Sequence, residues 1–524
     1  MEVVEIRDLD GPNLFRLEPV IKLELAFDAH DDREHLVERV SGRIAALHLE
    51  LGLDVPEVTH HRVDHPDHVV LAFTWDWRAT VVGIARTAAD LGGEAADAEA
   101  LDKLRQRLAR DKAEGDRPLW IRDSERAKPA AGITGTNGKT TTTRLLAHIV
   151  ACSGRRVGWS SSTGVYVQGR QVLEGDYSGP SGARRVLEDP DVEVAILETA
   201  RGGLLLRGLA YESNDVGVFL NVSADHLSLH GVETLETLAA VKSVVVRVTR
   251  PKGLVVLNAD DPLVVAWRDR VRAPVLLFTQ QADNAIVREH IANGGAALVR
   301  EGDCLRLYRA GDSSTLAKLA DIPMTFGGAV PFMVENALGA AGAALGLGIA
   351  PEVVAGGLAS FRNDSRSNRG RLNVFGVQDR ALVIDYAHND TGLAGLAMFA
   401  RQLAGDRGKL HLVVGTAGDR RDEDFRALGR LARSVGDVVY LKDTRAYMRG
   451  RAEGEMPALM REGFEEGEGP AALAGEFDDE YSCVLAALDA SSAGDVIAVM
   501  CQMDLDRIVA EVERRGGSER VPNG

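Results

Sequence analysis

Apolar and polar positions along this chain fall into three successive patterns. Residues 1–125 alternate strand-like apolar runs (20–27 and 68–75) with helix-period stretches (33–51 and 95–109), which predicts a small α+β unit. Residues 110–129 carry many charges, include Gly115, Pro118 and Pro129, and hold no sustained apolar period, as expected of a linker that Trp120 and Ile121 could dock. From residue 131 short apolar runs at 192–197, 215–222, 253–258 and 275–279 alternate with turns and helical stretches, the pattern of buried parallel strands joined by crossovers. A stretch rich in Ala and Gly, 334–345, reads as the helix that closes this block, and a third series of runs, at 381–386, 410–415, 437–442 and 495–501, begins near Asn368. The expected class is α/β, with a parallel-sheet central unit (126–366), a Rossmann-like C-terminal unit (367–524) and an α+β unit before them (1–125). Residues that follow the strands should form the site.

Composition narrows the picture. A chain of 524 residues is too long for one core, and a net charge of −17 excludes a non-specific nucleic-acid binder, which needs a basic footprint. Cys152, Cys304, Cys483 and Cys501 lie far apart in sequence and suggest neither a zinc site nor a disulfide framework. The N-terminus lacks a basic segment followed by an apolar core, and no apolar run reaches the ~18 residues of a membrane span. The expectation is a cytoplasmic protein that touches neither nucleic acid nor membrane.

The most specific chemistry lies in residues 132–143, Gly-Ile-Thr-Gly-Thr-Asn-Gly-Lys-Thr-Thr-Thr-Thr. An apolar run enters a glycine turn whose N–H groups can cradle phosphate oxygens, and Lys139 adds a point charge at a helix N-terminus. Gly135, Thr136, Asn137, Gly138, Lys139, Thr140 and Thr141 are thus candidates for holding a nucleoside triphosphate, with the Thr140 hydroxyl placed for its magnesium. The ordinary P-loop would have its first glycine at position 133, where this chain has Ile133. Glu198 closes the apolar run 194–197 and could add a hard carboxylate to the metal. Asp225 and His226 follow the next strand and suggest a further metal or phosphate group; His230 reads as a turn residue.

The form of that loop, followed in order by Glu198, Asp225-His226 and Lys242, resembles the Mur ligase superfamily. Its wording is most similar to the ligase half of the cyanophycin synthetases: Leu-Glu-Thr-Ala-Arg-Gly-Gly, Asp-His-Leu and Val-Lys-Ser-Val-Val-Val all match. The resemblance implies ATP and Mg²⁺ as cofactors, with Glu198 and His226 as metal ligands and Lys242 as a lysine that can be carbamylated into one. It also implies that Asn258 and Asn336 flank the adenine and that Arg371, Asp385 and His388 reach over the nucleotide from the third unit. By the same likeness Arg420, Arg421, Asp422 and Arg445 are candidates for holding the incoming amino acid. Asp422, Glu423 and Asp424 equally suit a helix start.

Residues 9–15 and Lys22-Leu-Glu-Leu extend the resemblance to the first unit, but the stretch 110–129 leaves no room for the ATP-grasp module those enzymes carry between these parts. The implied activity is an ADP-forming amide ligase, of the acid–amino-acid class, joining an amino acid such as arginine to a peptide-like carboxylate. Two alternatives stay open: a P-loop ATPase or kinase, and a non-catalytic nucleotide-binding partner of a separate ATP-grasp enzyme. The oligomeric state also stays open, a homo-oligomer included.

Overall fold

A computed structural model describes residues 1–92, 96–224 and 231–520. Among these residues the strands form three sheets in chain order, of four, eleven and seven strands. The first is antiparallel. Ile21, Leu23 and Leu25 of its strand Val20–Ala26 are buried in one core with Val37, Val40, Ile44 and Leu47, which recur at helical spacing along Arg33–Glu50. That helix and strand match the sequence pattern. The helix expected at 95–109 instead runs over Ala98–Glu114, because Leu104, Leu108 and Asp111 keep one face buried until Gly115 ends it in the left-handed region. The connecting segment is therefore shorter than composition suggested, and it docks through Ile121, whose N–H donates to the Ala210 carbonyl (2.8 Å).

The middle sheet is parallel over its central strands, Val157–Ser161, Val194–Glu198, Ala130–Thr134, Asn214–Phe219, Thr249–Asn258, Val275–Thr279 and Ala296–Glu301, which lie side by side in that order. Antiparallel hairpins extend both edges, a feature not signalled by the apolar runs because the outermost strands, Arg170–Glu174 and Asp312–Lys318, are largely exposed. The strand Ala130–Thr134 lies between Val194–Glu198 and Asn214–Phe219, so the glycine loop that follows it has a strand end on each side. The helix Pro331–Gly346 packs closely on the sheet because its residues are small: a Cβ added at Gly339 would lie 2.7 Å from Leu220, and one at Gly342 would lie 2.8 Å from Val256.

The third sheet is parallel except at one edge, where Asn373–Val377 pairs antiparallel with Arg380–Asp385. The end of Arg380–Asp385 leads into a segment that reaches the middle unit through Asn389 and Asn137. Helices cover both faces, as an α/β crossover pattern requires.

Candidate functional site

The glycine loop joins the strand Ala130–Thr134 to the helix Lys139–Cys152. Gly138 has φ +86°, and a Cβ there would lie 2.1 Å from the Asn336 side-chain oxygen, so both the turn and the close approach of the neighbouring helix require glycine. Asn221, which follows the adjacent strand, accepts the N–H groups of Thr136 (3.1 Å) and Asn137 (2.9 Å) on one side-chain oxygen. Its amide nitrogen donates to the Asn137 carbonyl (3.2 Å) and to Glu335 (2.6 Å). These bonds tie the loop to the end of the neighbouring strand and to Glu335. Lys139 Nζ folds back onto the carbonyls of Gly135 (3.0 Å) and Thr136 (2.7 Å), while the Thr142 hydroxyl donates to Asn336.

Two further groups converge on the loop. Glu198 is buried at the end of its strand, where it accepts the Thr140 hydroxyl (3.1 Å) and the Ser162 N–H (3.2 Å). Burial raises its carboxyl above the ordinary range, although Lys139 and Arg371 pull the other way. A buried carboxylate paired with a threonine hydroxyl offers hard oxygen donors, which suit Mg²⁺, an ion usually held by one or two carboxylates together with phosphate and water. From the opposite side Lys242, buried on the helix Leu235–Arg247, donates to the Gly135 carbonyl (2.7 Å). Asp225, His226 and His230 lie outside the described residues. The first unit braces this helix: Asp64 accepts the N–H groups of Glu233 (2.6 Å) and Thr234 (3.0 Å) and the Thr237 hydroxyl (2.7 Å).

The third unit forms the other wall. Arg371 lies over the Tyr386 ring (4.9 Å) and donates to the Thr140 hydroxyl (3.3 Å), and the Asn389 amide donates to Asn137 (3.3 Å). Asp385 accepts the Leu372 N–H (2.9 Å); burial raises its carboxyl, opposed by Arg371. His388 Nδ1 is 3.1 Å from the Tyr386 carbonyl. Arg144, five residues after the P-loop lysine, is buried and donates to Thr163 (2.9 Å) and to the Arg369 carbonyl (3.1 Å). Burial, and then its neighbour Arg371, lower it to about 10. Residues more than two hundred positions apart thus meet at Thr140.

Asn258 accepts the Asp260 N–H (3.0 Å) and lies beside Glu335, whose carboxyl is pushed up to about 7 by burial, with Asp260 and Asp261 adding to the effect. Thr141 is buried in the first turn of the P-loop helix. Beyond His388, the Thr416 hydroxyl donates to that residue's carbonyl (2.7 Å), and the buried Arg420 donates to Thr416 (3.0 Å). Arg420 is therefore linked to the interdomain cleft. Arg421 pairs with Asp424 at the start of the helix Asp422–Val435, Asp422 pairs with Arg451 (2.8 Å), and Arg445 is about half exposed and pairs with Glu453.

Behind this wall lies an ion pair that sequence reasoning did not find. Lys442 and Glu480 are fully buried and 2.7 Å apart. Glu480 also accepts the N–H groups of Gln502 (2.8 Å), Met503 (3.1 Å) and Asp504 (2.8 Å). Burial would raise its carboxyl, but Lys442, the Cys501 thiol (3.0 Å) and the Gln502 N–H hold it down at about 2. The Gln502 side chain accepts from Lys442 (2.6 Å) and donates to the Ala387 carbonyl (2.6 Å), so the pair supports the segment that carries Asp385 and His388. Asn221 and Arg144 were missed as well. Asn221 follows the buried residues 216–220 as Glu198 follows 194–197, and that position was its available signal.

Residues 133–344 match the Mur ligase middle domain, and residues 370–502 match the glutamate ligase domain of Mur ligases. Cyanophycin synthetase of Synechocystis sp. is 43% identical over 361 residues, covering 69% of this chain and 41% of that protein. The chain thus spans about two fifths of the length of this relative. UDP-N-acetylmuramoyl-L-alanyl-D-glutamate–2,6-diaminopimelate ligase of Geobacillus kaustophilus is 28% identical over 324 residues, covering 59% of this chain and 61% of that one. Among solved structures, a bifunctional folylpolyglutamate synthase/dihydrofolate synthase with Mn, AMPPNP and L-glutamate bound shares the fold, with a TM-score of 0.51 at 20% identity over 74% of this chain and 89% of that one.

Proposed function

The chain belongs to the Mur ligase family through its middle and C-terminal domains, and from this we propose that it is an ATP-dependent, ADP-forming amide ligase that joins an amino acid, arginine in the first instance, to a peptide-like carboxylate. The reading rests above all on Arg371 and Asn389 of one unit touching Thr140 and Asn137 of the other. A kinase or simple ATPase has no need of this second wall, whereas a ligase must shield an activated carboxylate from water.

In the proposed reaction an oxygen of the acceptor carboxylate attacks the γ-phosphorus of ATP, and the bond to ADP breaks. The amine nitrogen then attacks the acyl carbon, phosphate leaves, and the nitrogen loses a proton. ATP would supply the driving force, and Thr140 and Glu198, with His226, would hold Mg²⁺, which would offset phosphate charge. Carbamylation of Lys242 would convert a cation into a further anionic ligand. Lys139 and Arg371 supply positive charge from the two walls, the N–H groups of the loop orient the phosphates, and Asn258 and Asn336 flank the adenine. Asp385 and His388 face the ribose and phosphates, while Arg420, with Arg421, Asp422 and Arg445 farther out, receives the amino acid.

The test is ADP release with each of the twenty amino acids against short acidic peptides, with mass spectrometry of the product. The expected result is ADP formation that requires both substrates, yields a product heavier by one residue and is abolished by Arg371→Ala. Phosphate release that needs no amine and survives Asp385→Ala would replace the ligase with an ATPase.

A further inference from the structure

A second feature adjoins the phosphate site without being part of it. Arg144 lies at one end of a cavity of about 1090 Å³ that runs beside the helix Lys139–Cys152 as far as Gly154. Eight residue steps along the helix run from Arg144 to Cys152, so this wall is about 12 Å long. The hairpin strands Gly164–Val167 and Arg170–Glu174 line another side, and residues 365–369 of the segment leading into the third unit line a third.

The lining is basic within an acidic protein. Arg144, Arg155, Arg156, Arg366 and Arg369 face the cavity, against Glu174 and Asp506. Arg369 pairs with Asp506, Arg155 donates to the Leu347 carbonyl (3.2 Å), and Arg156 is 3.2 Å from Glu193. Even so, arginines outnumber carboxylates, and each guanidinium has five N–H donors, more than these partners use. Trp159 and Tyr166 stack at 4.8 Å with 4° between their planes and form a flat wall, in which the buried indole N–H has no hydrogen-bond partner. The volume lies just above the range of about 300–1,000 Å³ usual for ligand pockets and exceeds what a single phosphate or amino acid fills.

We propose that this groove holds the upstream part of a carboxylate-rich peptide acceptor and delivers its reacting end past Arg144 to the phosphate site. Arg144 makes the connection: it bonds Thr163 and the Arg369 carbonyl, both of the groove lining, and it lies close enough to Arg371 and Glu198 for their charges to act on it. An extended acidic chain offers a carboxylate to successive arginines and apolar stem atoms to the Trp159–Tyr166 face. The choice of acceptor rests on the ligase reading, whereas binding in the groove is measured without turnover.

The probe is a fluorescein-labelled octa-aspartate, followed by anisotropy on the full-length protein with a non-hydrolysable ATP analogue present. Saturable binding is expected, together with a roughly tenfold loss for the Arg155→Glu/Arg366→Glu double variant and a further loss at high salt. Affinity for the ATP analogue, measured in parallel, reports on the integrity of the fold. No binding by the natural sequence, binding indifferent to the charge reversals, or equal capture of an oligothymidylate of the same length would overturn the groove assignment. If the peptide binds in a charge-dependent way while no amine supports ADP release, the groove stands and the ligase reading falls.

Discussion

Replacing Glu480 by Gln removes one charge from a fully buried pair while keeping the shape of the side chain. Its carboxyl lies at about 2 rather than the ordinary 4.5, and with ~1.4 kcal/mol for each tenfold change in proton affinity the charged form contributes about 3 kcal/mol to folding. Independent reasoning gives a similar figure, because breaking a buried ion pair from one side costs about 3–5 kcal/mol by leaving the other charge unmatched, here Lys442. The contribution of a carboxyl depressed in the folded state is complete above the unfolded value and is lost as pH falls through the folded one. The window is therefore pH 4.5 to about 2. Urea unfolding of the full-length chain at pH 7 should show the variant about 3 kcal/mol less stable in the step that melts the third sheet, and the gap should close on acidification through that window. Lys442→Met added to Glu480→Gln should recover more than half of the loss. A deficit below about 1 kcal/mol at pH 7, or one that stays constant down to pH 2.5, would refute the electrostatic account.

Three other outcomes are expected. Asn221→Ala releases the N–H groups of Thr136 and Asn137 from their acceptor, and ADP affinity measured by calorimetry should fall roughly tenfold, about 1.4 kcal/mol; unchanged affinity would mean that the loop holds its shape alone. Because the carboxyl of Glu335 is raised to about 7, the folded state binds its proton more tightly than the unfolded state does, so stability falls as pH rises from about 4.5 to about 7. Glu335→Gln should flatten that slope and raise the melting midpoint at pH 8, and a midpoint no higher than that of the natural sequence would count against it. Asp64→Ala should cost about 1 kcal/mol and speed amide exchange at the start of the helix Leu235–Arg247, without changing exchange in the strand His68–Thr74.

Much of the architecture was legible in the chain because buried parallel strands have no polar face. The runs at 192–197 and 275–279 match the strands Val194–Glu198 and Val275–Thr279 to within two residues. The edge hairpins were not legible, since half-exposed strands such as Arg170–Glu174 mix polar and apolar residues without a clean period. The linker was misjudged for a related reason: a charged helix, Ala98–Glu114, buries only a narrow stripe.

Sequence alone determined the glycine loop between strand and helix, because a glycine turn, a lysine and the following helix start are local features encoded within a dozen residues. It also determined that Glu198 ends an apolar strand, which places a carboxylate at the sheet's C-terminal edge. Only the tertiary structure decided which distant groups meet there. Asn221 holding the loop, Arg371 reaching Thr140, Lys242 reaching Gly135, and Arg144 bonding both Thr163 and the Arg369 carbonyl all depend on strand order and on how two sheets pack. Contacts between residues so far apart in sequence leave no periodicity to read, and the burial that shifts Glu198, Asp385 and Glu480 exists only once the chain has closed around them.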